Sequence, residues 1–177
     1  MGVDGDWTWV LERQCPQCLS DVNGISRDQL AARVRVVGGA WRELLNRGKV
    51  VQMLRDDDER TWTPLQYGCH VRDVFELFEE RTRLMLKKRK PPAFADWDQE
   101  QAAVKGDYAS QDPAKVAYSL ASNAGKYADV LDRVDGDEWA KEGTRGDGMT
   151  FTVESLARYM LHDVEHHLWD ARELIDG

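Results

Sequence analysis

The stretch FTVESLARYMLHDVEHHLWDARELI, residues 151–175, decides how the rest of the chain is read. It holds three of the four histidines, His162, His166 and His167, interleaved with Asp163 and Glu165. A helical residue advances by roughly 100°. At that pitch Val153, Leu156, Met160, Val164, Ala171 and Leu174 share one arc, which predicts a core-facing stripe. His167 falls inside the arc and Asp163 at its edge, and their i, i+4 spacing brings both side chains onto one patch. His162 and His166 are also four apart but sit further round, toward Ser155, Trp169 and Glu173. Two pairs are therefore candidates for holding a metal. Phase favours Asp163 with His167, and His162 with His166 is the alternative.

The fourth histidine, His70, lies far upstream. Thr63-Pro64 reads as a cap followed by proline at the first helical position, which predicts a helix running to about Lys88. Tyr67, Val71, Val74, Phe75, Phe78, Met85 and Leu86 line one face of it, and His70 is at the edge, in line with Val74 and Phe78. A cation held between the two helices by His70, Asp163 and His167 follows as the expectation. Two histidines and a carboxylate suit zinc, iron or nickel, and three ligands leave positions open for chemistry. Asp170 or Glu173, one or two turns on from the histidines, would orient a ring nitrogen.

Two more helices complete the pattern. Ser26 begins one, with Gln29 at the capping-box position. Leu30, Val34, Val37, Trp41, Leu44 and Leu45 form its stripe, and Gly48 ends it. Asp112-Pro113 begins the other, whose stripe (Ala117, Leu120, Ala124, Tyr127, Ala128, Leu131, Val134) is rich in alanine and so allows close approach. A short helix over Asp98 to Val104 is expected inside the connection that follows Pro91-Pro92. Asp147-Gly148 is expected to turn a short hairpin, and Thr152 to cap the last helix. Four helices of about 20 residues, a typical bundle length, predict an all-α four-helix bundle over residues 26–177. It has a long crossover and is preceded by an irregular arm, residues 1–25. Trp7, Trp9, Val10 and Leu11 of the arm are placed to lie across the core.

Composition narrows the function. The 177 residues carry 42% hydrophobic side chains and a formal net charge of -8. That fits one domain with a real core and excludes a nucleic-acid surface, which needs a basic face. No apolar run approaches the ~18–20 residues of a membrane span. The N-terminus has no apolar h-region, so no signal peptide is expected. Three cysteines are too few for a disulfide framework, which points to a reducing, cytoplasmic setting. The acidic run Asp56-Asp57-Asp58-Glu59 lacks EF-hand spacing and is read as solvated. Cys15-Pro16-Gln17-Cys18 has metal-knuckle spacing, but a structural zinc site needs four ligands and there is no second CxxC. The pair is structural, or half of an all-cysteine zinc site shared by two chains, or redox-active.

Trp62-Thr63-Pro64-Leu65-Gln66-Tyr67-Gly68-Cys69-His70 resembles the opening of the second helix in the DinB / YfiT-like metal-binding superfamily. His162-Asp163-Val164-Glu165-His166-His167-Leu168-Trp169-Asp170 resembles that superfamily's closing histidine-rich helix. The resemblance spans residues 26–175 and implies a DinB-like four-helix bundle, often a homodimer, with one histidine on the second helix and an i, i+4 pair on the fourth binding a divalent metal. His167 matches the family's last ligand. Asp163 then stands where many members have histidine, as a carboxylate does in the mycothiol-dependent maleylpyruvate isomerase branch. The implied activity is thiol-dependent S-transfer or isomerisation, with zinc favoured and a low-molecular-weight thiol as cosubstrate beside an electrophile. The competing expectations are a non-catalytic metal-binding or stress-response dimer and a redox sensor acting through Cys15 and Cys18.

Overall fold

A computed structural model describes residues 7–53 and 62–176. The acidic run lies outside them. The helices begin where the side chains can cap them. Ser26 opens a short 3-10 turn, Arg27–Gln29, with the Gln29 side chain accepting from the Ser26 amide at 3.4 Å. The chain then continues into α1, Leu30–Leu45. α2 runs Pro64–Lys87, its first turn closed by a reciprocal box: Thr63 Oγ1 accepts from the Gln66 amide, and Gln66 Oε1 from the Thr63 amide. Such a box satisfies two donors that the first turn would otherwise leave unpaired. The short α3, Gln99–Lys105, and the longer α4, Pro113–Leu131, are capped by the carboxylates of Asp98 and Asp112. The strands β1 (Glu142–Thr144) and β2 (Thr150–Thr152) make an antiparallel hairpin turned at Gly148, whose φ is +90°. Thr152 Oγ1 then accepts from the Ser155 amide, and α5 runs Val153–Asp176.

Four of these helices form the bundle. α1 packs on α4 and α5, and α2 packs on the same two, so the sequence neighbours α1 and α2 stand diagonally opposite. The chain after α2 returns along the hairpin, where the Phe94 amide donates to the Thr144 carbonyl and the Thr144 amide donates to the Pro92 carbonyl. That detour turns Trp97 toward His70. Apolar stripes from all four helices close the core. Trp41 is fully buried and its indole Nε1 donates to the Val164 carbonyl at 3.0 Å, tying α1 to α5. Burying a large apolar side chain contributes about 1.5–3 kcal/mol, so several such residues decide the register between helices. No helix among the described residues is long and apolar enough to cross a membrane.

The alanine-rich face of α4 does allow close approach. A Cβ added to Gly38 of α1 would stand 2.6 Å from the Ala124 Cβ. Alanine is the better helix former by about 1 kcal/mol, yet overpacking a tight contact costs about 1–3 kcal/mol. Gly38→Ala is therefore expected to lower stability by up to about 2 kcal/mol. Urea unfolding checks this, and a raised midpoint would mean that α1 and α4 are not in that close contact.

Candidate metal centre

His70 comes from the second turn of α2, where Thr63-Pro64 sets the start of the helix, and Asp163 and His167 come from successive turns of α5. One donor atom from each lies within 4.8 Å of the others. His70 Nε2 is 3.5 Å from Asp163 Oδ1, and His167 Nε2 is 4.0 Å from the same oxygen. His70 is 1% exposed, and both of its ring nitrogens and Asp163 Oδ1 are buried without a hydrogen-bond partner among the described residues. A buried polar atom left unpaired costs about 1–3 kcal/mol. His70 Nε2 and His167 Nε2 both approach that orphaned oxygen, and one donor from each of the three residues makes a set that fits a cation.

Electrostatics favour the same use. Burial opposes ionisation of Asp163, but the contacts with His70, His167 and His162 outweigh it and hold the carboxyl below its ordinary range. Burial lowers the His70 pKa, against the pull of Asp163, so its imidazole stays neutral with a lone pair to give. The other nitrogen of His167, Nδ1, lies 3.1 Å from Asp170 Oδ2. A carboxylate there accepts a hydrogen bond from Nδ1–H and turns Nε2 toward Asp163, the arrangement that raises the basicity of a ligating imidazole. Trp62 and Trp97 each pack 5.4 Å from the His70 ring, and Tyr67 packs 5.1 Å from His167. These aromatics fix both rings and keep solvent from them.

A cavity of 420 Å³ opens beside the cluster, with His70 and Asp163 in its wall. Val74, Phe78, Phe151 and Leu156 make its apolar sides. Arg81 and Arg145 bring two guanidiniums to it. Arg145 is bidentate to Asp147 and donates to the Tyr159 hydroxyl at 3.4 Å. Arg81 donates to the Ala95 carbonyl and lies over the Phe78 and Phe94 rings, with no carboxylate ion-paired to it among the described residues. Burial and the neighbouring Arg145 hold its pKa below the usual guanidinium value. Neither arginine stood out in the sequence, because a single arginine on a helix or in a turn reads as surface. Only the crossover and the hairpin bring the two together.

The alternative pair, His162 and His166, does not face His70. It meets Cys15 and Cys18, and one donor atom from each of these four lies within 4.8 Å of the others. All four histidines are buried, including the two whose phase placed them away from the bundle core. The arm covers them. Trp7, in a 3-10 helix over Trp7–Leu11, packs its ring 4.8 Å from His162, 4.6 Å from His166 and 5.5 Å from His167. Burial, with Cys15 and Glu165 adding, pushes the Cys18 thiol up to about 12. Cys69 points elsewhere, its sulfur 3.8 Å from the Tyr108 carbonyl.

The fold and these clusters define a helical bundle with candidate cation-binding groups along its last helix. The sequence profile of the DinB superfamily matches residues 22–171, and the chain belongs to that superfamily. Among solved structures it resembles one described as "YfiT from Bacillus subtilis is a probable metal-dependent hydrolase with an unusual four-helix bundle topology". The two superpose with a TM-score of 0.72 at 18% identity, over 85% of this chain and 89% of the other. Identity at that level shows a shared fold and no more. No curated protein matches the sequence.

Proposed function

We propose that the protein is a metal-dependent enzyme in which His70, Asp163 and His167 hold a divalent cation, zinc favoured, and that it transfers or isomerises an electrophile with a low-molecular-weight thiol. The observation that carries this reading is the cavity. Two of the three donors line it, and no fourth protein donor joins their group among the described residues. A site built only for stability is closed by four ligands, whereas a catalytic one keeps a position open. A bound cation would supply Lewis acidity, favouring the thiolate over the thiol at neutral pH.

The chain's own residues do the rest. The apolar walls exclude water from the reacting groups. With a divalent cation held, the lining sets two guanidiniums and the cation against the carboxylates of Asp96, Asp147 and Asp163, which leaves a net positive wall. That favours an electrophile carrying a carboxylate, for which Arg81 is the available partner. Tyr159 is the hydroxyl nearest to hand for a proton, since it lines the cavity while Tyr67 packs behind His167. The thiolate sulfur would bond to the electrophilic carbon. In transfer the leaving group departs, and in isomerisation the thiol is expelled again. The net charge and the family resemblance extend the proposal to a cytoplasmic homodimer that acts on small molecules and binds neither nucleic acid nor membrane.

The neighbouring structure's description supports a second reading, hydrolysis with water in place of the thiol. One experiment separates them. Metal-loaded protein is incubated with carboxylate-bearing electrophiles, with and without thiol, and products are followed by mass spectrometry. Thiol-dependent turnover is expected, with Arg81→Met raising KM for the acid far more than for its methyl ester. Turnover without thiol would make the protein a hydrolase. No turnover by fully loaded protein across the panel would leave a non-catalytic metal-binding dimer.

A further inference from the structure

The geometry points to a second, structural metal site: a zinc ion held tetrahedrally by Cys15, Cys18, His162 and His166, pinning the N-terminal arm to α5. It does not depend on the function proposed for the His70 cluster. Cys15 Sγ lies 3.6 Å from His166 Nδ1, and Cys18 Sγ lies 3.8 Å from His162 Nε2. Bonds of about 2.3 Å to sulfur and about 2.0–2.1 Å to nitrogen give a tetrahedron whose edges are about 3.3–3.8 Å. The two measured edges are of that size. Two separate thiol–imidazole contacts would satisfy these atoms in pairs, but would not require the pairs to meet. Here all four donors lie within 4.8 Å of one another.

The local chain is built to aim them. The Cys15 amide donates to the Ser20 carbonyl at 2.9 Å, and the Leu19 amide donates to the Cys15 carbonyl at 3.0 Å. These two bonds close a tight loop that holds the two sulfurs within 4.8 Å of each other. The loop turns at Leu19, whose φ of +59° is one that a leucine adopts only under constraint. On α5 the i, i+4 spacing sets both imidazoles on one face. Cys15, His162 and His166 are buried. Two thiolates and two neutral imidazoles would exactly balance a divalent charge, and soft sulfur donors select zinc over magnesium or calcium.

The two clusters share a carboxylate. Asp170 places Oδ2 3.1 Å from His167 Nδ1 and Oδ1 3.7 Å from His166 Nε2. The arm's zinc would therefore fix His166, and through Asp170 the ring of His167 as well. Trp7, in contact with His162, His166 and His167, fills the space between the two sites. Asp170 acts as a positioning residue for both.

The test uses the full chain, purified without chelator, analysed for zinc and then exchanged into cobalt(II). A thiolate-to-cobalt charge-transfer band with tetrahedral d–d absorption is expected for the wild type. His70→Ala removes a donor only from the other cluster and keeps that band, while Cys18→Ser loses it. Iodoacetamide should leave Cys15 and Cys18 of the zinc-loaded wild type unmodified until a chelator is added, a readout that stands even where Cys18→Ser does not fold. No charge-transfer band in the wild type, loss of the band in His70→Ala, or a Cys15–Cys18 disulfide in the isolated protein would overturn the assignment. Failure of the thiol-transfer assay would not touch it.

Discussion

Asp163→Asn is expected to empty the His70 cluster of its cation while leaving the bundle folded. The carboxylate is the only anionic donor in that group, and its Oδ1 is the atom that both His70 Nε2 and His167 Nε2 approach. Asparagine keeps the shape and one oxygen but removes the charge, which is the main attraction for a divalent ion in a partly buried site. Losing a residue that merely orients a ligand costs about 10–100-fold in affinity. Losing a donor should cost at least about 100-fold. Calorimetric titration of metal into the wild type and the variant measures the difference, with circular dichroism as the check on fold. Undiminished affinity would mean that Asp163 is not a ligand and that His70 and His167 are only paired core histidines.

Metal removal should act on stability as strongly as Asp163→Asn acts on affinity. An ion that binds only the folded chain stabilises it by about 4 kcal/mol when present at about a thousand times its dissociation constant. For a chain of this size each kcal/mol moves the midpoint by about 2–4 °C. Stripping zinc from the wild type with a strong chelator is therefore expected to lower Tm by about 8–16 °C. Most of the loss should come from the cysteine cluster. Its ion would join the loop at Cys15–Cys18 to His162 and His166 near the far end of the chain, a cross-link that acts as a disulfide does by restricting the unfolded chain. His70→Ala should keep most of the chelator-sensitive stability and Cys18→Ser should lose it. Equal Tm values with and without chelator would show that no ion holds the arm.

The helix starts were readable because they are local chemistry. Thr63-Pro64, Asp112-Pro113 and Thr152 each place a side-chain oxygen within reach of the amides of the next turn, and each begins a helix in the structure. The apolar stripes were readable for the same reason, since a helix repeats its face every few residues whatever surrounds it. The long crossover was visible as length, but not its contact with β1, because pairing across distant segments leaves no local periodicity.

The last helix shows where that kind of reading stops. Its phase marks the stripe that faces the bundle, and Val153, Leu156, Met160, Val164 and Ala171 are buried as the stripe requires. Phase cannot show that a second face is also covered. His162 and His166 are buried because the arm, with a short 3-10 helix over Trp7–Leu11, lies over them, and its cysteines arrive from the other end of the chain. Read along the sequence, Cys15 and Cys18 lacked two ligands and His162 and His166 lacked a partner. Helical spacing alone determined which residues could meet on each face of each helix. The tertiary structure decided which faces actually meet, because burial of the arm's Trp7, Val10 and Val22 against distant residues is a long-range, non-directional gain that no local pattern records.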